Sequence, residues 1–292
     1  MKDSRLKWSI SKRATIDLNP SLSRYKRFLK DRGYRDSTIF GYYSFVRVYL
    51  KFAKTTQPTV KQAFEFRETL IESFRKPSTI NNYSLAIRLF HKMQNAEEDI
   101  KFPLLKVNNK LNFYFSEEEI LRLLSEIKNL KHLAMVSLLF YCMLRASDLC
   151  ALNDDDIDLK SLNLRILDGK FQKAAILPIP PNCGEILKQY LQIRPPLEID
   201  GKNPLFYTDF SHRWDRRDLY RMIISYKNKA GIKKSGGCHL LRYSAASIFI
   251  KNGGDVATLK ELMRHENIET TSRYISVLDS TKRQKLEQYL VL

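Results

Sequence analysis

The chain has 292 residues, with 50 Lys+Arg against 32 Asp+Glu, a formal charge of +18 and a pI near 9.7. A hydrophobic content of 43% beside 28% charged residues describes a soluble protein of one large or two ordinary domains and excludes a disordered basic tail. A charge this positive implies a polyanion partner, of which nucleic acid is the commonest.

The first residues, MKDSRLKWSISKR, lack the apolar stretch of a secretory signal, so a cytoplasmic location is expected. Leu22, Tyr25, Phe28 and Leu29 then fall at helical spacing, with Arg24, Lys26, Arg27 and Lys30 between them. Ser37-Thr38 opens a second helix carrying Ile39, Tyr42, Val46, Tyr49 and Leu50. Ser78-Thr79 opens another with Ile80, Tyr83, Ile87 and Phe90. Aromatic stripes at spacings of three and four read as core, with the interleaved cations facing outward.

Phe102-Pro103 and the polar run Lys106–Lys110 make a linker, which predicts domains at residues 1–108 and 109–292. The charge divides unevenly about this break. Residues 1–110 hold 23 basic and 10 acidic side chains (+13), whereas residues 111–292 hold 27 and 22 (+5). The first part therefore reads as a helical grip on phosphates, and the second has the balanced surface of a domain that does chemistry.

Ser116 with Glu119 forms a capping-box start. The longest apolar run, Leu133 to Leu144, includes Ser137, Tyr141 and Cys142; it is too short to span a membrane and reads as a core helix over 131–144. Leu162–Leu167 and Ala174–Ile179 form a strand pair joined through Asp168-Gly169-Lys170. Helices are expected near 183–193 and 215–229. A further one runs from His239 to Asn252 and stops at Gly253-Gly254, after which Asp255 caps a short helix ending near Met263. The fold class is thus mainly α with a small β-sheet. The four cysteines, Cys142, Cys150, Cys183 and Cys238, are scattered and lack CxxC spacing, so no disulfide framework, zinc site or dithiol redox site is encoded.

Functional residue types concentrate in one stretch, CHLLRYSAASIFIKNGGDVATLKELMRHENIETTSRYISV. His239 and Arg242 are three apart and share a helix face, His265 follows the next helix, and Tyr274 comes after Thr270-Thr271-Ser272-Arg273. Singly, each has an ordinary structural role. Together they match the pattern H-x-L-R, a Gly-bearing turn, a second His and T-T-x-x-Y. Upstream, Leu144-Arg145-Ala146-Ser147-Asp148-Leu149 is similar to L-R-x-S-E-L, with Asp148 for the glutamate, and Asp168-Gly169-Lys170 followed by Leu177-Pro178 is similar to a G-K turn and its V-P.

In this order the five motifs resemble the tyrosine recombinases, the phage-integrase and Xer family, through most of residues 112–285. The resemblance implies an N-terminal helical core-binding (SAM-like) domain and a C-terminal catalytic domain. It also implies double-stranded DNA as partner, action as a homo-tetramer on two duplexes, and neither a cofactor nor a metal. The run Asp154-Asp155-Asp156 matches the family's acidic turn.

By the same resemblance Arg145 and Arg242 clamp the scissile phosphate and His265 adds a hydrogen bond. Tyr274 attacks phosphorus to form a 3′-phosphotyrosyl link, and Lys170 protonates the departing 5′ oxygen, with Lys173 on the same hairpin as its rival. His239 is the candidate acceptor of the tyrosine proton, and Asp148 positions the site. Three departures stand out: Tyr243 where a histidine is usual, Arg264 for the glycine before the second histidine, and Phe171 for the second glycine after the lysine. Tyr243 puts a second phenol near the site.

Several roles fit this reading. A Xer-like enzyme that resolves chromosome dimers is expected from the minimal length, and a mobile-element integrase-excisionase is the alternative. A DNA-binding regulator that lost cleavage is opposed by the complete set of catalytic residues, and a type IB topoisomerase by the small size. The apolar C-terminal residues Gln288–Leu292 could dock on a neighbouring copy or pack on their own domain.

Overall fold

Leu22, Tyr25 and Leu29 form the buried stripe of α1 (Asn19–Asp31), and Arg24, Lys26, Arg27 and Lys30 point away from it into solvent. The same separation of apolar and basic faces builds α2 (Asp36–Ala53) and α4 (Pro77–Gln94). Pro77 sits in the first turn of α4, where its missing N–H would have had no partner. The aromatic residues are core, as expected: Tyr25, Tyr49 and Phe90 are fully buried, and the Tyr25 hydroxyl donates to the Ala86 carbonyl at 2.8 Å. The computed structural model describes residues 17–95, 97, 99–107, 114–167 and 174–264. The hairpin turn with Lys170, Phe171 and Lys173, the residues His265 and Tyr274, and the tail Gln288–Leu292 lie outside the described residues.

The chain divides into two compact units, Met1–Asn109 and Lys110–Leu292. The first unit also contains a helix that the apolar spacing does not predict, α3 (Val60–Glu72), begun by a capping box between Thr59 and Gln62. One of its buried positions is Arg67, which breaks the apolar stripe yet donates to the Pro103 carbonyl at 2.6 Å. Asn81 on α4 exchanges two hydrogen bonds with the Leu105 backbone, at 2.9 and 3.0 Å. Pro103, expected to be linker, and Leu105, just before the polar run, are therefore strapped to the helices that precede them.

In the second unit α5 (Glu117–Ser125) starts at the expected box. Ser116 Oγ accepts from the Glu119 N–H at 3.2 Å, and Glu119 Oε2 accepts from the Ser116 N–H at 2.7 Å. The apolar run becomes α6 (Leu130–Tyr141), with Ala134 through Leu139 buried. It ends before the run does, because Met143 turns to a φ of +49° and Leu144 is buried outside the helix. A short α7 (Ala146–Ala151) follows.

The sheet has three antiparallel strands in sequence order: β1 (Ile157–Asp158), β2 (Asn163–Leu167) and β3 (Ala174–Pro178). Pairing of Leu164 with Leu177 and Leu167 with Ala174 sets the register of the expected hairpin, so residues 168–173 form its connection. Helices α8 (Pro181–Ile193), α9 (Arg216–Lys229), α10 (Cys238–Lys251) and α11 (Val256–Met263) complete the unit.

Helix α10 is central, with Leu240, Leu241, Arg242, Ser244, Ala245, Ala246 and Ile250 all buried. Ser244 Oγ accepts from the Phe115 N–H at 2.8 Å, so the start of this unit is pinned to α10. The Gly253-Gly254 turn needs its glycines. Gly253 has a φ of +96°, and a Cβ on Gly254 would lie 2.1 Å from the Phe249 ring. No helix among the described residues is long and apolar enough to cross a membrane.

Candidate active site

Three stretches far apart in sequence meet in the second unit: Met143–Asp148, His239–Tyr243 and Met263–Arg264. Helix ends bring them together. The last carbonyls of a helix have no partner inside it and carry the negative end of its dipole, so they attract cations. Met143, just beyond α6, and Met263, the last residue of α11, both turn their carbonyls to the guanidinium of Arg242: Nη1 donates to the Met143 oxygen and Nη2 to the Met263 oxygen. Arg242 itself is only 3% exposed. Arg145 reaches the same place from the N-cap of α7, and its Nη2 donates to the Arg264 carbonyl at 3.0 Å.

The structure thus brings together Arg145, Arg242 and His239 among the predicted residues. Both guanidinium charges act on His239. Partial burial, then the positive charges of Arg242 and Arg145, push the imidazole pKa below its ordinary value of 6.5. The Tyr243 ring lies one helical turn on, its centroid 5.7 Å from that of His239, so the second phenol does stand beside the cluster. Asp148 faces inward. One of its oxygens accepts from the Arg145 backbone N–H at 3.2 Å and pairs with the Arg264 guanidinium.

Two features here were not read from the sequence. In the sequence Arg264 stands out only as a replacement for glycine, yet both its carbonyl and its side chain join the cluster. The loop entering α10 is also tied down by lysines: buried Lys227 of α9 donates from Nζ to the Lys234 carbonyl at 2.7 Å, and half-buried Lys234 from Nζ to the Tyr114 carbonyl at 2.9 Å. In that loop Gly237 lies against Tyr220, where a Cβ would come within 2.6 Å of the ring. The acidic turn is held by arginines, with Asp154 bound to Arg194 and Asp156 to Arg165.

Residues 114–281 match the model of the phage integrase family, so the chain belongs to that family. It is a tyrosine recombinase, an enzyme that breaks and rejoins DNA strands. Among its relatives is a tyrosine recombinase XerA of Thermococcus onnurineus, 28% identical over 93% of this chain and 95% of that one. The crystal structure of a XerA recombinase, 26% identical, covers 94% of this chain and all of its own, with a TM-score of 0.57. The Tn1549 transposon integrase, solved with transposon right end DNA, shares the fold at a TM-score of 0.74 and 19% identity, over 93% of this chain and 99% of that one.

Proposed function

We propose that this recombinase cleaves and rejoins DNA at a specific site through a 3′-phosphotyrosyl link on Tyr274, in a Xer-like role that resolves chromosome dimers. The observation that carries the chemistry is the juxtaposition of Arg145 and Arg242 beside His239. Displacement at a phosphodiester builds negative charge on the non-bridging oxygens. A guanidinium meets that charge with parallel donors and stays ionised at any working pH. Backbone carbonyls hold both guanidinium groups and so orient them at the site.

In this reading the Tyr274 phenol oxygen attacks phosphorus, the bond to the 5′ oxygen breaks, and the new ester keeps the energy needed for rejoining. His239 accepts the phenol proton, and Lys170 or Lys173, in the β2–β3 connection, gives one to the 5′ oxygen. His265, directly after Arg264, adds a hydrogen bond to the phosphate. The basic helices of the first unit grip the DNA backbone, and four copies act on two duplexes. Likeness to XerA recombinases along nearly the whole chain supports the Xer-like role.

The lowered His239 pKa has a testable sign. An imidazole below its ordinary 6.5 stays unprotonated, and able to accept, to a lower pH than a free histidine. At subsaturating protein, the acid limb of the cleavage rate is expected to lie below pH 6.5 and to vanish in His239→Gln. A limb above 6.5, or one unchanged in the variant, contradicts the assignment. Stability moves the same way: the unfolded chain takes up this proton first, so folding weakens as pH falls through the 6.5 region.

The biological role is tested by sequencing the DNA that the full chain captures covalently from nicked genomic fragments of its source organism. A single chromosomal site is expected. Capture of mobile-element ends would replace this role with an integrase-excisionase, and binding without capture would leave a regulator.

A further inference from the structure

Arg264 occupies a position that an L-residue resists. It caps the C-terminus of α11 with a φ of +50° and ψ of +51°, the left-handed region that glycine takes without strain. Its side chain is also buried, at 7% exposure, and its Nε has no hydrogen-bond partner among the described residues. Backbone strain and a desolvated charge at one residue persist only where the surroundings repay both. Here the return is an ion pair across the site, from Arg264 Nη2 to Asp148 Oδ2, between residues 116 apart in sequence.

Asp148 is the key to what this pair does. It lies three residues after Arg145, and its carboxylate already accepts the Arg145 backbone N–H. Without a competing cation, that carboxylate, three residues from Arg145, would be open to the Arg145 guanidinium and would offset the charge meant for a phosphate. With Arg264 in place the carboxylate is neutralised, and Arg145 is oriented instead by a neutral acceptor, the Arg264 carbonyl. One residue supplies both halves of the arrangement.

We propose that Arg264 is a positioning residue: its guanidinium occupies Asp148 so that Arg145, held by the Arg264 carbonyl, presents its full positive charge to the scissile phosphate. The inference rests on the reading of Arg145 as a phosphate clamp.

The test uses the full chain and a pool of nicked duplexes of randomised sequence, following the rate of covalent adduct formation at saturating protein and DNA affinity separately. Arg264→Gly relieves the left-handed backbone, so strain cannot account for any loss. It is expected to slow cleavage about 10- to 100-fold, as small displacements of a reacting group do, while DNA affinity holds. Arg264→Lys, which keeps a cation but not the planar fork, should recover part of the rate. The discriminating variant is Arg264→Gly with Asp148→Asn. Asparagine still accepts the Arg145 N–H but carries no charge, so the double variant should cleave faster than Arg264→Gly alone. A purely structural role would leave the double variant equal or slower. That result, or wild-type cleavage by Arg264→Gly, overturns the inference while the clamp stands. If Arg145→Ala cleaves as fast as the wild type, the clamp reading fails, and this inference with it.

Discussion

Tyr274→Phe is expected to bind DNA as the wild type does and to form no covalent adduct at all. In the proposed reaction this phenol oxygen is the atom that joins phosphorus, and phenylalanine has none to offer. The informative comparison is Tyr243→Phe. Tyr243 stands beside His239, with ring centroids 5.7 Å apart, so among the described residues it is a phenol at the arginine cluster. It is expected to keep adduct formation. A gel that shows the adduct in Tyr274→Phe and none in Tyr243→Phe would reverse the assignment of the nucleophile.

Arg242→Ala carries the next largest effect, and two consequences should appear together. Cleavage should fall by at least about 10²- to 10³-fold, the loss seen when one preorganised donor to a developing oxyanion is removed. Stability should fall as well, because the Met143 and Met263 carbonyls lose a buried charged donor, a contact of a kind worth about 1.5–3 kcal/mol. Arg242→Lys separates the two. It restores a cation and one donor but not the fork that bridges the ends of α6 and α11, so it should regain stability more fully than cleavage. Thermal melts and single-turnover rates on the same preparations measure both. Wild-type cleavage in Arg242→Ala would remove the residue from the phosphate site.

The elements that could be read from sequence are those whose cause is local. Helix α10 follows from its apolar period and its Gly253-Gly254 stop, α5 from its Ser116 and Glu119 box, and the β2–β3 hairpin from two β-rich runs. What escaped depends on partners far along the chain. Helix α3 was missed because buried Arg67 interrupts its stripe, and that burial makes sense only once the Pro103 carbonyl is folded back to it. The end of α6 was placed too late because Leu144 is apolar and buried without being helical. A strand of two residues such as β1 has no period to detect.

The site divides in the same way. His239 and Arg242 are close in sequence, and their shared helix face is visible in their spacing. The gathering of Arg145 and Arg242 around the helix-end carbonyls at 143, 263 and 264 is not, because backbone acceptors leave no mark in side-chain patterns. Arg264 read as a departure from a motif. Its carbonyl beneath Arg145 and its ion pair with Asp148 place it in the cluster.

The proposed reaction forms a covalent bond, and the most direct measurement is to locate it. Wild-type protein trapped on a nicked duplex can be digested with protease and nuclease, and the nucleotide-bearing peptide sequenced by mass spectrometry. A single linkage is expected, from the Tyr274 oxygen to a 3′-phosphate. A linkage on Tyr243, a bond to a 5′-phosphate, or an intact DNA complex with no covalent peptide would contradict it.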